Sequence, residues 1–254
     1  MNKELVVGIP ERLHPRSIAA QYYTWCPGCH IGIIKRLICE VFEEIGIEGN
    51  TISTSGAGCA SLWYLEMDSD NVVIAHGRAT DGARAIKRLR PDQIVYCVEG
   101  DGDCIAIGAE SNIAAATFGD KITVVMVNNA GYGATGGQCA PTTPFGLATS
   151  TTPLGRDSSS GYPVDTAKLF ASVRGTAYSA RGAVNTPRNY QLTKGYLKKA
   201  FQKQMDKVGF SFVEIISACP TQWHMSPLDS LKYIEEKMID EYPLGEFKNV
   251  DCIE

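Results

Sequence analysis

No apolar run in this 254-residue sequence approaches the roughly 18 residues that a membrane-spanning helix needs. The hydrophobic stretch nearest the start, LVVGI, is cut off by Pro10 and flanked by charges. Neither a spanning segment nor a secretory leader is expected, which points to a cytoplasmic protein with no membrane partner. A basic excess is lacking too. The 24 Lys and Arg against 28 Asp and Glu leave a net charge of −4 with no basic block, so nucleic acid is not an expected ligand. Internal repeats, low-complexity tracts and a composition break that would mark a linker are also missing. With 44% hydrophobic and 20% charged residues, the expectation is one α/β core spanning 1–254 rather than two domains.

Cysteine, by contrast, is plentiful. Nine cysteines in a cytosolic chain indicate metal chemistry or buried thiols before disulfides. Cys26 and Cys29 form a C-x-x-C pair, Cys59 closes GAGC and Cys219 sits in ACPT. Cys39 falls on an expected helix and Cys97 inside an expected strand, which reads as core packing. Cys104 and Cys139 adjoin motifs discussed below and are also read as small buried hydrophobes.

Short β-branched runs alternate with helix-length amphipathic segments, the pattern of a mostly parallel sheet with helices on both faces. Strands are expected at 51–54, 94–98, 122–127, 176–180 and 212–216, and helices at 31–45, 79–90, 107–119 and 189–205, with Gly119 as a stop signal. Residues 130–165, rich in Gly, Thr, Ser and Pro, show neither period, and a loop of that length in a compact fold is usually functional or disordered.

The unusual residues fall just after the strands. GAGC follows the first, GDGD the second, Asn128-Asn129 the third and Cys219-Pro220-Thr221 the last. In a parallel sheet these four segments meet at the carboxyl edge, where open α/β sheets bind ligands.

Gly100-Asp101-Gly102-Asp103 lies between an apolar strand and a helix start, where glycines admit a phosphate and exposed N–H groups favour an anion. The acidic residues would repel a bare diphosphate, a conflict that a bridging Mg²⁺ removes because it takes hard oxygen donors from protein and phosphate together. Asn129, after the next strand, is the expected second donor. The 25 residues from Asp103 to Val127 accommodate one helix and one strand. This arrangement resembles the thiamine diphosphate signature of GDG followed by NN. The resemblance implies that Asp101 and Asn129 ligate Mg²⁺ by side chain and Gly131 by its carbonyl.

By spacing alone, Cys26, Cys29, Cys59 and Cys219 suit an iron–sulfur cluster, a structural zinc, or a redox pair with two bystanders. A wider resemblance separates them. CPGC (26–29), GAGC (56–59), HGRA (76–79), GDGD (100–103), NNAGYGATGGQ (128–138), APTTP (140–144), TTPLGRD (151–157) and ACPT (218–221) occur in the order found in the β, thiamine-diphosphate-binding, subunits of 2-oxoacid:ferredoxin oxidoreductases. The resemblance covers nearly the whole chain and is nearest the branched-chain and 2-oxoglutarate subgroup.

That resemblance implies a single thiamine-diphosphate-binding domain with an amino-terminal cluster-binding segment and a carboxyl-terminal extension. It implies a [4Fe–4S] cluster on the four cysteines, and cofactor contacts from Gly100, Asp101, Gly102, Asp103, Asn129, Tyr132, Thr135 and His76. The implied reaction is oxidative decarboxylation of a 2-oxoacid to acyl-CoA and CO₂, with electrons passing through the cluster to ferredoxin. No catalytic residue is assigned within this chain. The activating Glu is expected from the pyrimidine-binding domain of an α subunit, in an assembly with γ and δ subunits, and the isolated chain is expected to be inactive.

Two alternatives use part of the same evidence. A non-oxidative thiamine diphosphate decarboxylase or synthase shares GDG and NN but needs no iron, and a zinc-stabilised binding module leaves GDGD and NN without purpose. Other positions carry weaker signals. Ala134 stands where pyruvate-specific relatives have a polar Asn, which argues against pyruvate. His76 and Arg78 precede a helix, so capping and packing account for them as well as ligand contact does. Gln138 lies in the loop beside the Mg²⁺ donors. Arg156 reads as an exposed loop arginine or as a partner for a carboxylate or coenzyme A. His30 and Ala57 depart from the family pattern, and a His beside a cluster shifts its potential through hydrogen bonding.

Overall fold

The computed structural model describes residues 24–253. The amino-terminal stretch read above for leader and membrane signals lies outside the described residues. Among the described residues no helix is long and apolar enough to cross a membrane.

The first helix, α1 (Ile31–Ile45), follows the expected stripe, with Ile34, Leu37, Ile38, Val41 and Phe42 all buried. Strands β1 (Thr51–Ser55), β3 (Ile94–Gly100), β4 (Thr123–Asn128), β5 (Thr176–Ala183) and β6 (Phe210–Ile216) fall where the β-branched runs place them. Two more were not expected, β2 (Asp70–Val73) and β7 (Gly245–Asn249). Both are edge strands with half-exposed, polar-rich sequences, so neither carries the hydrophobic run that identifies a buried strand. The sheet order is β2-β1-β3-β4-β6-β5-β7, parallel throughout except for β7 against β5.

Alternation along each central strand splits the core in two. Tyr96, Val98, Val125, Val127, Val213 and Ile215 face α1 and α5 (Pro187–Met205), whereas Val95, Cys97, Val124, Met126 and Phe212 face α2 (Ala79–Leu89), α3 (Ala109–Phe118) and α4 (Thr166–Ser172). Phe42 meets Tyr96 and Phe201 edge-on, at centroid distances of 5.2 and 5.1 Å. The helix expected at 107–119 is α3, ended at Gly119, which takes the left-handed conformation at φ 59°. Before it, Gly102–Ile107 winds as a π segment, a form that concentrates at functional sites. Residues 130–165 remain irregular, with a Tyr132–Gln138 bridge and a short turn at Ser158–Ser160.

This topology creates the site. β1 has β2 on one side and β3 on the other. The chain leaves β1 along the face that holds Ala60 and Trp63 and returns to β3 through α2 on the opposite face. A crevice therefore opens between the carboxyl ends of β1 and β3. The same reversal recurs between β4 and β6, because the excursion to β5 uses α4 on one face and α5 on the other.

Below this edge, Arg181 on β5 is fully buried and pairs with Glu214 on β6 at 2.8 Å and with Asp165. Glu214 also accepts from Asn128 Nδ2 (2.7 Å), directly before Asn129. Replacing Arg181 with Met leaves Glu214 buried without its cation, and urea unfolding is expected to show a loss of about 3–5 kcal/mol.

Candidate active site

β3 delivers three carboxylates within five residues to the carboxyl edge. Asp101 heads the π segment and is 1% exposed. Its Oδ1 accepts from Gly102 N–H (2.8 Å), and its Oδ2 accepts from Gly131 N–H (3.1 Å) and the Thr142 hydroxyl (2.6 Å). Burial nevertheless raises its pKa to about 6, against the lowering effect of those three donors. Beneath it, Glu99 accepts from Thr80 N–H (3.1 Å), the Thr80 hydroxyl (2.9 Å) and Asn112 Nδ2 (2.9 Å), and burial with the neighbouring Asp103 charge raises it to about 7. Asp103 accepts from Gly77 N–H and lies 2.8 Å from His76 Nδ1 through the same oxygen, while its buried Oδ2 has no partner among the described residues.

A cavity of about 190 Å³ opens over these groups, lined by His76, Asp101, Asn129, Tyr132 and Thr135 among others, with the backbone of Gly100, Gly102 and Gly131. Gly102 has a steric reason: a Cβ there would overlap the Tyr132 ring. Thr135 donates to Gln138 Oε1 (2.6 Å) and Gln138 Nε2 returns a bond to the Thr135 carbonyl (2.8 Å), closing the loop that carries Tyr132. Burial without a counter-cation, an orphan carboxylate oxygen and a convergence of oxygen donors are what a divalent ion with a diphosphate would satisfy.

Cys26, Cys29, Cys59 and Cys219 line a second cavity of about 100 Å³. All four are free thiols. Cys29 N–H bonds back to the Cys26 carbonyl (3.0 Å), making the tight turn before α1. Burial, with neighbouring sulfurs adding to it, raises Cys29 to about 12 and Cys59 to about 11, and burial also raises Cys219. Keeping such thiols ionised needs cationic metal in their midst. Among the described residues no three His, Cys, Asp or Glu side chains close into a ready-made cage for a single ion; these sulfurs stand around a space instead.

Polar ties that sequence reasoning did not foresee hold the three cysteine segments together. Trp25 Nε1 donates to the Cys59 carbonyl (2.8 Å), and Ala218 N–H donates to His30 Nδ1 (3.2 Å), linking the residues next to Cys29 and Cys219. Burial depresses His30 to about 4, so its ring is neutral and Nδ1 can accept. Trp223 Nε1 donates to the Asn129 carbonyl (3.0 Å) and Gln222 Nε2 to the Gly133 carbonyl (2.9 Å). The CPGC and ACPT motifs flag the neighbourhood of these residues but not their partners.

Other sequence candidates lie elsewhere. Arg156 is not exposed. It is 4% accessible and donates to the carbonyls of Ala140 (2.9 Å), Pro141 (3.1 Å), Thr143 (2.6 Å) and Gly161 (3.1 Å), so it organises the long loop and leaves little of the guanidinium for an anion. Arg78 is held by Glu110 and by Ser111 Oγ (2.9 Å) beside α2 and α3. Cys39, Cys97 and Cys104 are buried in the core, and Cys139 is half-buried outside both cavities.

Residues 56–215 match the family described as thiamine pyrophosphate enzyme, C-terminal TPP binding domain. Of the four cysteines lining the second cavity only Cys59 lies within that stretch. The chain is 37% identical over 226 residues to the ketoisovalerate oxidoreductase subunit VorA of Methanothermobacter thermautotrophicus, covering 89% of this chain and 47% of VorA. It thus spans about half the length of that relative. It is 36% identical over 229 residues to the 2-oxoglutarate synthase subunit KorB of Archaeoglobus fulgidus, covering 89% of this chain and 82% of KorB. In fold it resembles the 2-oxoglutarate:ferredoxin oxidoreductase from Magnetococcus marinus, solved with 2-oxoglutarate, coenzyme A and succinyl-CoA bound. The TM-score is 0.76 at 24% identity, over 94% of this chain and 86% of that one.

Proposed function

The chain belongs to the thiamine-pyrophosphate-binding subunits of the 2-oxoacid oxidoreductases, and from that premise we propose that it is the cofactor subunit for oxidative decarboxylation of a 2-oxoacid to acyl-CoA and CO₂, with ferredoxin as electron acceptor. One observation carries the proposal. The cavity over Asp101 and the cavity among the four cysteines share Asn129, Gly133, Cys59 and Ile31 in their walls. An oxygen-donor site and a sulfur-donor site in contact suit chemistry that generates electrons at one and removes them at the other. A non-oxidative decarboxylase has no use for the second site.

In this reading Asp101, Asn129 and the Gly131 carbonyl hold Mg²⁺ and through it the diphosphate, with Gly100 and Gly102 giving the phosphates access to backbone. Thiamine diphosphate, when bound, supplies the electron sink that lets a 2-oxoacid lose CO₂. Cys26, Cys29, Cys59 and Cys219 hold a [4Fe–4S] cluster, which when bound accepts electrons one at a time. Asp103 fixes the His76 ring against the cavity wall, while Tyr132 and Thr135 shape the loop over the reacting centre. The activating Glu comes from an α subunit, γ and δ subunits complete the assembly, and the complex works in the cytoplasm.

Anaerobic co-purification with the α subunit tests this. The complex is expected to be brown, to contain iron and thiamine diphosphate, and to reduce ferredoxin with 2-oxoglutarate or a branched-chain oxoacid in preference to pyruvate. The isolated chain is expected to hold the cluster and turn over nothing. A colourless, zinc-loaded complex would refute the redox role, and turnover by the isolated chain would refute the division of labour.

A further inference from the structure

Part of the wall between the two cavities is the loop of residues 129–133, which gives Asn129 and Gly133 to both, and its contacts run both ways. Gly133 stands where a side chain would be caught between them: a Cβ there would lie 3.2 Å from Asn129 Nδ2, 3.4 Å from Cys59 Sγ and 3.8 Å from Cys219 Sγ. Asn129 and Cys219 line the cysteine cavity together, with the Asn129 amide nitrogen and the Cys219 sulfur both within 4 Å of that same point. On the sulfur side the loop is pinned by Trp223 to the Asn129 carbonyl and by Gln222 to the Gly133 carbonyl, both donors from the short helix that starts right after Cys219. On the oxygen side it is pinned by Gly131 N–H to Asp101 Oδ2. The Asp101 charge acts on both Cys59 and Cys219.

A carboxamide has a donor end and an acceptor end, and they differ chemically. Against a thiolate the acceptor end is repelled, so the N–H group takes the sulfur and the oxygen is left for a cation. We propose that Asn129 couples the two cofactor sites: its amide oxygen takes the ion that carries the diphosphate while its amide N–H donates to the Cys219 sulfur, so loading one site sets the electron affinity of the other.

The coupling rests on the function proposed above and adds a direction to it. A cation on the amide oxygen withdraws density from the nitrogen and strengthens the N–H···S bond. Such a bond favours the reduced cluster, which carries more negative charge on its sulfurs. Loading with Mg²⁺ and thiamine diphosphate therefore raises the cluster's midpoint potential, and by linkage the reduced cluster binds the loaded ion more tightly by the same factor. The electron outlet is then most receptive when the cofactor that feeds it is in place. A tenfold coupling, about 59 mV for one electron, is the expected size.

The test uses the anaerobic complex with its α subunit, stripped of Mg²⁺ and thiamine diphosphate by chelation and then reloaded. Redox titration followed by electron paramagnetic resonance is expected to show a midpoint about 59 mV higher in the loaded wild type, the potential equivalent of that tenfold coupling. Asn129→Asp keeps an oxygen for the ion but has no N–H for the sulfur, and the loading-dependent rise is expected to vanish. An equal rise in both proteins would mean through-space electrostatics and would overturn the role of Asn129. A second measurement needs no variant: thiamine diphosphate affinity at saturating Mg²⁺ is expected to be about tenfold tighter with the cluster reduced than oxidised. Equal affinities would overturn the coupling while leaving the proposed function intact. A complex with no cluster signal would remove both.

Discussion

A Cys219→Ala complex, purified anaerobically with its partner, is expected to be pale, to hold well under the four irons of a cubane, and to reduce ferredoxin more than about a hundredfold more slowly than wild type. The effect should exceed the ~10–100-fold typical of losing an outer-shell partner, because under the proposed function a donor itself is removed. Cys219 lies just past β6, and its thiol faces Cys59 across Gly133. Among the described residues no other thiol lines this cavity besides Cys26, Cys29 and Cys59, so none there is placed to substitute.

The fold should survive the change. The Cys219 carbonyl, not its side chain, accepts from Trp223 N–H (2.9 Å) to start the helix after it, and Ala218 keeps its bond to His30. Circular dichroism is expected to be unaltered. Cys139→Ala, outside both cavities, is the matched control and is expected to keep colour and turnover. Full iron content in the Cys219 variant would remove this residue from the ligand set.

The parts of this architecture that were legible in the sequence are those encoded locally. The α1 stripe repeats every three to four residues, so its span was readable, and the central strands announce themselves by β-branched runs buried on both faces. The gathering of GAGC, GDGD, NN and ACPT at one rim followed from one assumption, a parallel sheet, that fixes where every strand ends, whereas CPGC follows no strand among the described residues and was joined to them only by the family resemblance. What escaped notice has no local signature. β2 is half polar because an edge strand need not be buried. The bond between His30 and Ala218 joins residues 188 apart in sequence. Arg156 looked like any loop arginine because the carbonyls that surround it converge only when the irregular segment folds. NN drew attention to Asn129, but its place beside Cys219 in one cavity depends on β4 and β6 being neighbours, which the chain order does not suggest.

The second large effect is expected at Asp101, and two substitutions separate its roles. Asp101→Ala removes the acceptor that fixes Gly131 N–H and the Thr142 hydroxyl, so the loop bearing Asn129 and Gly131 loses its anchor along with the charge. Turnover is expected to fall by at least the ~10²–10³ associated with losing one preorganised electrostatic group. Asp101→Asn keeps the shape and one acceptor oxygen for those donors but loses the charge. Because burial holds Asp101 near 6, above its ordinary value of 3.8, the folded chain takes up a proton there more readily than the unfolded one, and this residue's contribution to stability declines as pH rises through that interval. The neutral Asn avoids that decline, so without ligands the variant is expected to be at least as stable as wild type at pH 8. Under the proposed function, Mg²⁺ on Asp101 is expected to reverse the balance by stabilising the carboxylate. At a ligand concentration of about 100 Kd, Mg²⁺ with thiamine diphosphate is expected to stabilise the wild-type chain by about 2.7 kcal/mol, a rise of roughly 5–10 °C in Tm by the usual scaling for this size. Both Asp101 variants are expected to lose most of that rise, and differential scanning fluorimetry with and without the two ligands measures it. An undiminished rise in Asp101→Asn would mean that the diphosphate is held by the backbone alone and that Asp101 serves only to anchor the loop.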